Sequence, residues 1–180
     1  MSELAVTTLL IGLAALAGGV FAVAAPTKLR AGLVAFPRSI WPGRILAAVD
    51  LAWAAYELSL MHLGMFDAWK VHLYWLVPVS VYLCARYLDE LLSPRALGGF
   101  MLLLAGLVLD IARWHPSEWR LVIVVMAYLW ILVGLLFLLS PWWFRRIALA
   151  VTKTDSLLRI GGIVKMLAGL ALVVLALRVY

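Results

Sequence analysis

One uninterrupted apolar stretch decides the class of this protein. Residues 121–139 read LVIVVMAYLWILVGLLFLL and contain no charged side chain. About 20 apolar residues in a helix are needed to cross the hydrocarbon core of a bilayer, and this stretch meets that requirement. Because backbone groups in lipid must bond to one another, we expect the stretch to form a transmembrane helix.

Five further segments have the same character. Together with the first they predict six spans, at about 5–25, 45–63, 71–88, 96–113, 121–139 and 158–178. The chain of 180 residues is 67% hydrophobic and 13% charged, whereas a soluble domain is roughly 45–50% apolar and about 25% charged. This composition excludes a soluble domain and a disordered chain. Cys84 is the only cysteine in the sequence, which excludes a disulfide scaffold.

The basic residues lie mostly on one side of the predicted spans. The richer side carries those in or beside the linkers 26–44, 86–95 and 140–157: Lys28, Arg30, Arg38, Arg44, Arg86, Arg95, Arg145, Arg146, Lys153 and Arg159. The other side carries fewer: Lys70, Arg113, Arg120 and Arg178. The positive-inside rule makes the richer side cytoplasmic. We therefore expect a multi-pass protein of the inner (cytoplasmic) membrane with both termini on the outer, periplasmic side.

An internal pattern predicts three related helical hairpins within a single transmembrane domain, residues 1–180. Arg44, Arg95 and Arg159 each precede an apolar helix, and we interpret them as interfacial anchors. Small residues follow each arginine at matching depths, which favours close helix packing. The predicted repeats are 5–63, 71–113 and 121–178. The linkers 26–44 and 140–157 have amphipathic patterns typical of short helices lying in the cytoplasmic interface. The predicted fold is therefore all-α, with six transmembrane helices.

A charge inside a predicted span is costly and often functional, and three such residues are candidates for a site. Asp50 and Glu57 share one face of the second span, and Lys165 lies in the sixth. Asp50 and Lys165 are each six residues past an anchoring arginine, so equal depth and opposite charge predict a buried pair. The pair is interpreted as a structural ion pair, as an ion, proton or substrate site, or as charges that face a partner subunit.

The remaining residues give no complete pattern for catalysis. His62, His72 and His115 lie near the outer ends of the spans, without the spacing of metal ligands. The tryptophans of the outer loops favour an aromatic belt, with a ligand or pigment site as the alternative. We expect no metal and no cofactor.

The predicted function is an integral membrane accessory or scaffold subunit of a larger complex, rather than an enzyme. Its partners would be the lipid bilayer and other integral membrane subunits. Anionic lipid accounts for the net charge of +6, so no nucleic-acid partner is expected. The alternative is a small transporter, channel or substrate-binding component that uses the charges of the second and sixth spans. An enzyme acting on lipid or quinone is the least favoured class.

Overall fold

The protein is helical throughout the part that the structure describes. The computed structural model describes residues 1–87 and 91–180. The α-helices in these ranges are α1 (Glu3–Ala24), α2 (Pro26–Ala35), α3 (Ile40–Leu60), α4 (Leu73–Tyr87), α5 (Leu92–Arg113), α6 (Arg120–Leu139), α7 (Trp142–Val151) and α8 (Asp155–Arg178). Two 3₁₀ segments, Phe36–Arg38 and Gly64–His72, precede α3 and α4. The all-α class is confirmed, and the predicted linker 86–95 lies partly outside the described residues.

Four of these helices, α1, α5, α6 and α8, are long and apolar enough to cross a membrane. Helix α3 has 21 residues but carries Arg44, Asp50 and Glu57, which lower its hydropathy. Helix α4 has only 15 residues and contains Pro78. At 1.5 Å per residue it is about 22 Å long, shorter than a hydrocarbon core of roughly 30 Å. The predicted second and third spans are thus helical, and the six-span arrangement stays a prediction.

The first of two compact units comprises residues 1–35, 104–130 and 145–180. Its main feature is the antiparallel packing of α1 against α8. The side-chain oxygen of Ser2 accepts a hydrogen bond from the Ala5 N–H at 3.1 Å, and that of Thr154 accepts one from the Leu157 N–H at 3.4 Å. These caps satisfy backbone donors that a helix leaves open in its first turn.

Glycines bring α1 and α8 into backbone contact at two levels. A Cβ added to Gly169 would lie 2.8 Å from the carbonyl oxygen of Gly12, and one added to Gly162 would lie 2.9 Å from that of Gly19. The two glycines of each helix are one heptad apart, so the contact recurs after two helical turns. Helices in lipid have no hydrophobic force between them, and van der Waals contact of this kind replaces it.

The other segments of this unit are α2 and parts of α5 and α6. Helix α2 is joined to the start of α8 by the Arg30 Nη2–Asp155 Oδ1 ion pair at 2.6 Å, in which both side chains are partly exposed. Such a surface pair contributes little, about 0–1 kcal/mol. The segments of α5 and α6 in this unit bury Ala105, Val108, Ala112, Ile123 and Ala127 completely.

The second unit comprises residues 36–103, as far as they are described, and 131–144. Helix α3 packs against α4, and the segment Gly64–His72 joins them. Gly64 has a φ of +59°, a left-handed conformation that glycine adopts without steric cost. A Cβ added to Gly98 would lie 2.5 Å from the carbonyl oxygen of Gly134, so α5 and α6 also meet at a glycine pair.

Neighbouring glycines on α8 provide a test of the α1–α8 contact. We expect Gly162→Ala to destabilise the protein by about 1–3 kcal/mol, because its Cβ would lie 2.9 Å from Ala22 and Gly19 atoms. A Cβ on Gly161 would meet nothing within 4 Å, so Gly161→Ala should be neutral or should stabilise the helix by up to about 1 kcal/mol. Thermal unfolding in mild detergent measures both changes. Equal effects of the two substitutions would refute the described packing.

Candidate functional site

The candidate site is a carboxyl group held between two helices. Asp50 of α3 lies against α5, where its Oδ2 is 2.9 Å from the position that a Cβ on Gly99 would occupy. Its Oδ1 is buried and has no hydrogen-bond partner among the described residues. A buried polar atom left without a partner costs about 1–3 kcal/mol. Gly99 therefore makes room for a carboxyl group that the surrounding helices do not satisfy.

The first turns of α3 and α5 set the position of this carboxyl group. The Ser93 hydroxyl donates to the Ser39 carbonyl oxygen at 2.5 Å. A Cβ on Gly43 would lie 2.9 Å from the Ser93 backbone nitrogen, so the two helices are in contact there. The next turn buries an apolar cluster of Ala47, Leu92 and Ala96. About one turn beyond this cluster, Asp50 on α3 lies against Gly99 on α5.

Glu57 lies two turns further along α3 and is held by its own helix. The Trp53 indole N–H donates to Glu57 Oε1 at 3.0 Å. The Trp53 ring contacts Phe100 of α5 edge-on, with ring centroids 5.9 Å apart. Glu57 is therefore hydrogen-bonded, whereas Oδ1 of Asp50 is not. Of the two acidic groups, Asp50 is the one with a buried oxygen that lacks a partner among the described residues.

The structure places Lys165 differently from the sequence expectation of burial. Lys165 is exposed on α8, with its Nζ against Gly18 of α1, 2.9 Å from the position that a Cβ on Gly18 would occupy. Lys165 belongs to the first unit and Asp50 to the second. The predicted Asp50–Lys165 pair therefore stays a prediction.

The three predicted anchors lie near the starts of their helices. Arg44 is the fifth residue of α3, Arg95 the fourth of α5 and Arg159 the fifth of α8. Arg159 is exposed, and the other two are half-buried. A helix N-terminus disfavours positive charge because of the helix dipole. Their position is therefore not explained by helix stability alone.

The histidines do not form a shared site. His62 and His72 are exposed in the second unit, and His115 is half-buried in the first. Within residues 1–87 and 91–180, no group of three His, Cys, Asp or Glu side chains is arranged to hold a metal ion.

His115 instead contributes to a closed cluster at the end of α8. Its ring packs edge-on against Tyr180, with centroids 5.3 Å apart. The Tyr180 hydroxyl donates to the Trp119 carbonyl oxygen at 2.6 Å, and the Ser2 hydroxyl donates to the Tyr180 carbonyl oxygen at 3.2 Å. We call these four residues the Tyr180 cluster. It ties the start of α1 and the end of α8 to the loop between α5 and α6.

Comparison with known proteins gave no match to any family model, curated protein or solved structure. The function is therefore inferred from the side chains and their geometry.

One contact of the site has a sequence signal that the sequence interpretation did not use. Trp53 and Glu57 are four residues apart, a spacing at which helical side chains meet. The role of Gly99 has no such signal: of the adjacent Gly98 and Gly99, only Gly98 faces a backbone, that of α6. Gly99 faces the Asp50 carboxyl group, a distinction that depends on tertiary contacts.

A double-mutant cycle tests the fit of Asp50 to Gly99. We expect Gly99→Ala to destabilise the protein by about 1–3 kcal/mol, because its Cβ would displace the Asp50 carboxyl group. In an Asp50→Ala background the same change should cost much less, since among the described residues outside the backbone of α5 only the Asp50 carboxyl group lies within 4 Å of that Cβ. Gly106→Ala, whose Cβ meets nothing within 4 Å, is the control on the same helix. Additive effects in denaturant unfolding would contradict the described contact.

The Tyr180 cluster predicts a pH dependence. Burial raises the pKa of Tyr180 above its ordinary value. The stabilisation from the neutral phenol is present below the ordinary pKa of about 10, and it is lost as the pH rises through the raised pKa. Tyr180→Phe should cost about 0.5–1.5 kcal/mol at neutral pH through the lost hydrogen bond. The difference in stability between wild type and variant should shrink at strongly alkaline pH; a difference independent of pH would contradict this.

Proposed function

We propose that this protein is an integral membrane accessory or scaffold subunit of a larger membrane protein complex. One surface carries the proposal, and we call it the α4 outer face: Trp75, Leu76, Val79, Tyr82 and Leu83. Trp75 is 77% exposed and Tyr82 is 65% exposed. Among the α4 residues whose side chains are described, none is buried. The α4 outer face is thus an exposed apolar surface with two aromatic side chains, and no element among the described residues covers it.

The chemistry of this face favours a protein partner over lipid tails. Tyrosine and tryptophan prefer the headgroup region because their hydroxyl and indole N–H groups need hydrogen bonds. Tyr82 is seven residues, or two helical turns, from Trp75, which is about 10 Å along α4, so the two side chains do not lie at one headgroup level. Aromatic side chains are also enriched at the centres of protein interfaces. A helix of a partner subunit would cover the α4 outer face and provide acceptors for these groups.

We further propose that all six predicted spans lie in the inner membrane as three related hairpins. Helix α7 supports interfacial helices on the cytoplasmic side: it buries Phe144 and Ala148 and exposes Arg145 and Arg146, the pattern of a helix in the interface plane. Anionic headgroups would also explain the arginines at the unfavourable N-terminal turns of α3, α5 and α8. The periplasmic position of both termini rests on the distribution of basic residues.

Photo-crosslinking in native membranes tests the proposed partner surface. A benzophenone side chain in place of Tyr82 should form an adduct with another integral membrane protein, because the α4 outer face would lie within contact distance of it. The matched control is the same side chain at Val164, which is 61% exposed on α8 in the other unit. Val164 should label lipid alone. The absence of a protein adduct at Tyr82, or equal adducts at both positions, would contradict the assignment.

A second candidate function is a small transporter or channel that uses the charges of α3 and α8. It is favoured by one observation, the unsatisfied Oδ1 of Asp50 in the α3–α5 contact. A carboxyl group with a free acceptor in an apolar setting is suited to bind a proton or a cation.

Proton flux into sealed vesicles distinguishes the two candidates. If the protein transports protons, wild type should acidify vesicles that hold a pH-sensitive dye, and Asp50→Asn should abolish the flux while the protein remains folded. Asp110→Asn, which alters an exposed carboxylate on α5, should leave the flux unchanged. If the protein is a scaffold, neither wild type nor variants should conduct.

A further inference from the structure

A groove lies on the opposite side of α4, where it faces α3. It has a volume of about 620 Å³, within the range of roughly 300–1,000 Å³ that small-molecule sites occupy. One wall is a single face of α3 from Ala52 to Ser59, and the other is formed by Lys70 and the first turns of α4, including Tyr74 and Pro78. All of its lining residues belong to the second unit. The groove shares no residue with the α4 outer face.

The two ends of the groove differ in chemistry. Ala52 and Ser59 are seven residues apart, so the α3 wall is about 10 Å long at 1.5 Å per residue. Around Ala52 the lining is apolar and includes Val77 and Pro78. Around Ser59 it carries hydroxyl groups and the Lys70 ammonium group. A molecule that fits along the groove would therefore have an apolar chain and a polar head.

Lys70 is fixed at the polar end by an ion pair. Its Nζ lies 2.8 Å from Asp67 Oδ1, and 23% of the Lys70 side chain is exposed. Asp67 also accepts the Leu63 backbone N–H at 3.0 Å. Hydrogen bonds from Lys70 and from Leu63 lower the pKa of Asp67, so Asp67 is a carboxylate at neutral pH. An ammonium group has three donors, and this pair uses one of them.

The charges of Lys70 and Asp67 favour a ligand whose head group carries one negative charge. Lys70 and Asp67 together are neutral, so a head group with two negative charges would face a carboxylate and a single ammonium. A carboxylate has one negative charge and accepts the remaining N–H donors of Lys70 as charge-assisted hydrogen bonds. A phosphate that binds well typically meets an arginine fork or several donors. The Ser59 hydroxyl already donates to the Tyr56 carbonyl oxygen at 2.6 Å and keeps acceptor capacity only.

We propose that this groove binds a single-chain fatty acid, with its carboxylate on Lys70 and its acyl chain along Ala52 and Pro78. The site is independent of the proposed partner subunit, since that partner would cover the other side of α4. A fatty acid bound in the groove would contact both α3 and α4, so its binding would alter the packing between these two helices.

Native mass spectrometry and calorimetry on delipidated protein test this site with palmitate as the probe. Wild type should bind one palmitate. Lys70→Gln should weaken palmitate binding roughly tenfold or more, because it removes hydrogen bonds to a charged group. Binding of hexadecanol, which has the same chain and no charge, should not change in this variant. Asp67→Asn keeps the ammonium group and should retain palmitate binding.

Two further variants test the chain end of the groove. Ala52→Leu fills the apolar end and should weaken palmitate and hexadecanol alike. Ala168→Leu adds the same side chain at an exposed position of α8 in the other unit and should change neither. The proposal is overturned if wild type does not bind palmitate, if Lys70→Gln and Asp67→Asn weaken it equally, or if a two-chain phosphatidylglycerol competes as well as palmitate.

Discussion

The close approach of helix backbones at glycines is the interaction on which the described packing depends. Gly12 meets Gly169 and Gly19 meets Gly162, so a Cβ at any of these positions would collide with backbone atoms. In lipid, the packing of apolar side chains against each other releases no hydrophobic free energy, because the side chains only exchange one hydrocarbon environment for another. Antiparallel helices are therefore held by dispersion, which requires contact. Ala5 and Ala176, both buried, continue the contact one heptad further.

Because the helices are in such close contact, a polar group between them affects the stability of the protein. Where α3 and α5 touch, the small residues Gly43 and Ala47 are followed by Asp50, whose carboxyl group fits only because Gly99 has no side chain. An unsatisfied Oδ1 at such a contact lowers stability, so its presence calls for a role in binding or assembly. The α4 outer face differs, since it leaves α4 without a buried side chain among those described. The α4 outer face is the observation on which the proposed accessory role rests.

The sequence predicted the helices well because length and hydropathy alone specify them in a membrane. Each of the six apolar segments forms a helix over most of its described length, and both amphipathic linkers contain a helix. The membrane-spanning character of α3 and α4 stays a prediction. Arg44, Asp50 and Glu57 lower the hydropathy of α3, and α4 is short and contains Pro78. The spacing of small residues in the sequence did not show which helices pack against each other, because every predicted span contains such residues. The threefold repeat stays a prediction. Three, ten and seventeen residues after Arg95 and Arg159, α5 and α8 bury small residues, whereas the residue seventeen positions after Arg44 is the exposed Met61, which lies beyond the end of α3.

Asp50 and Glu57 were singled out in the sequence because ionisable residues are rare in apolar helices. The contact of Trp53 with Glu57 follows from their spacing of four residues on one helix, whereas the contact of Gly99 with Asp50 depends on how α3 packs against α5. The most direct test of the central claim is the composition of the particle that carries this chain when it is extracted gently from its native membrane. An accessory subunit should co-purify with larger integral membrane subunits in a fixed ratio. A particle built only from the 19.9 kDa chain would contradict the account.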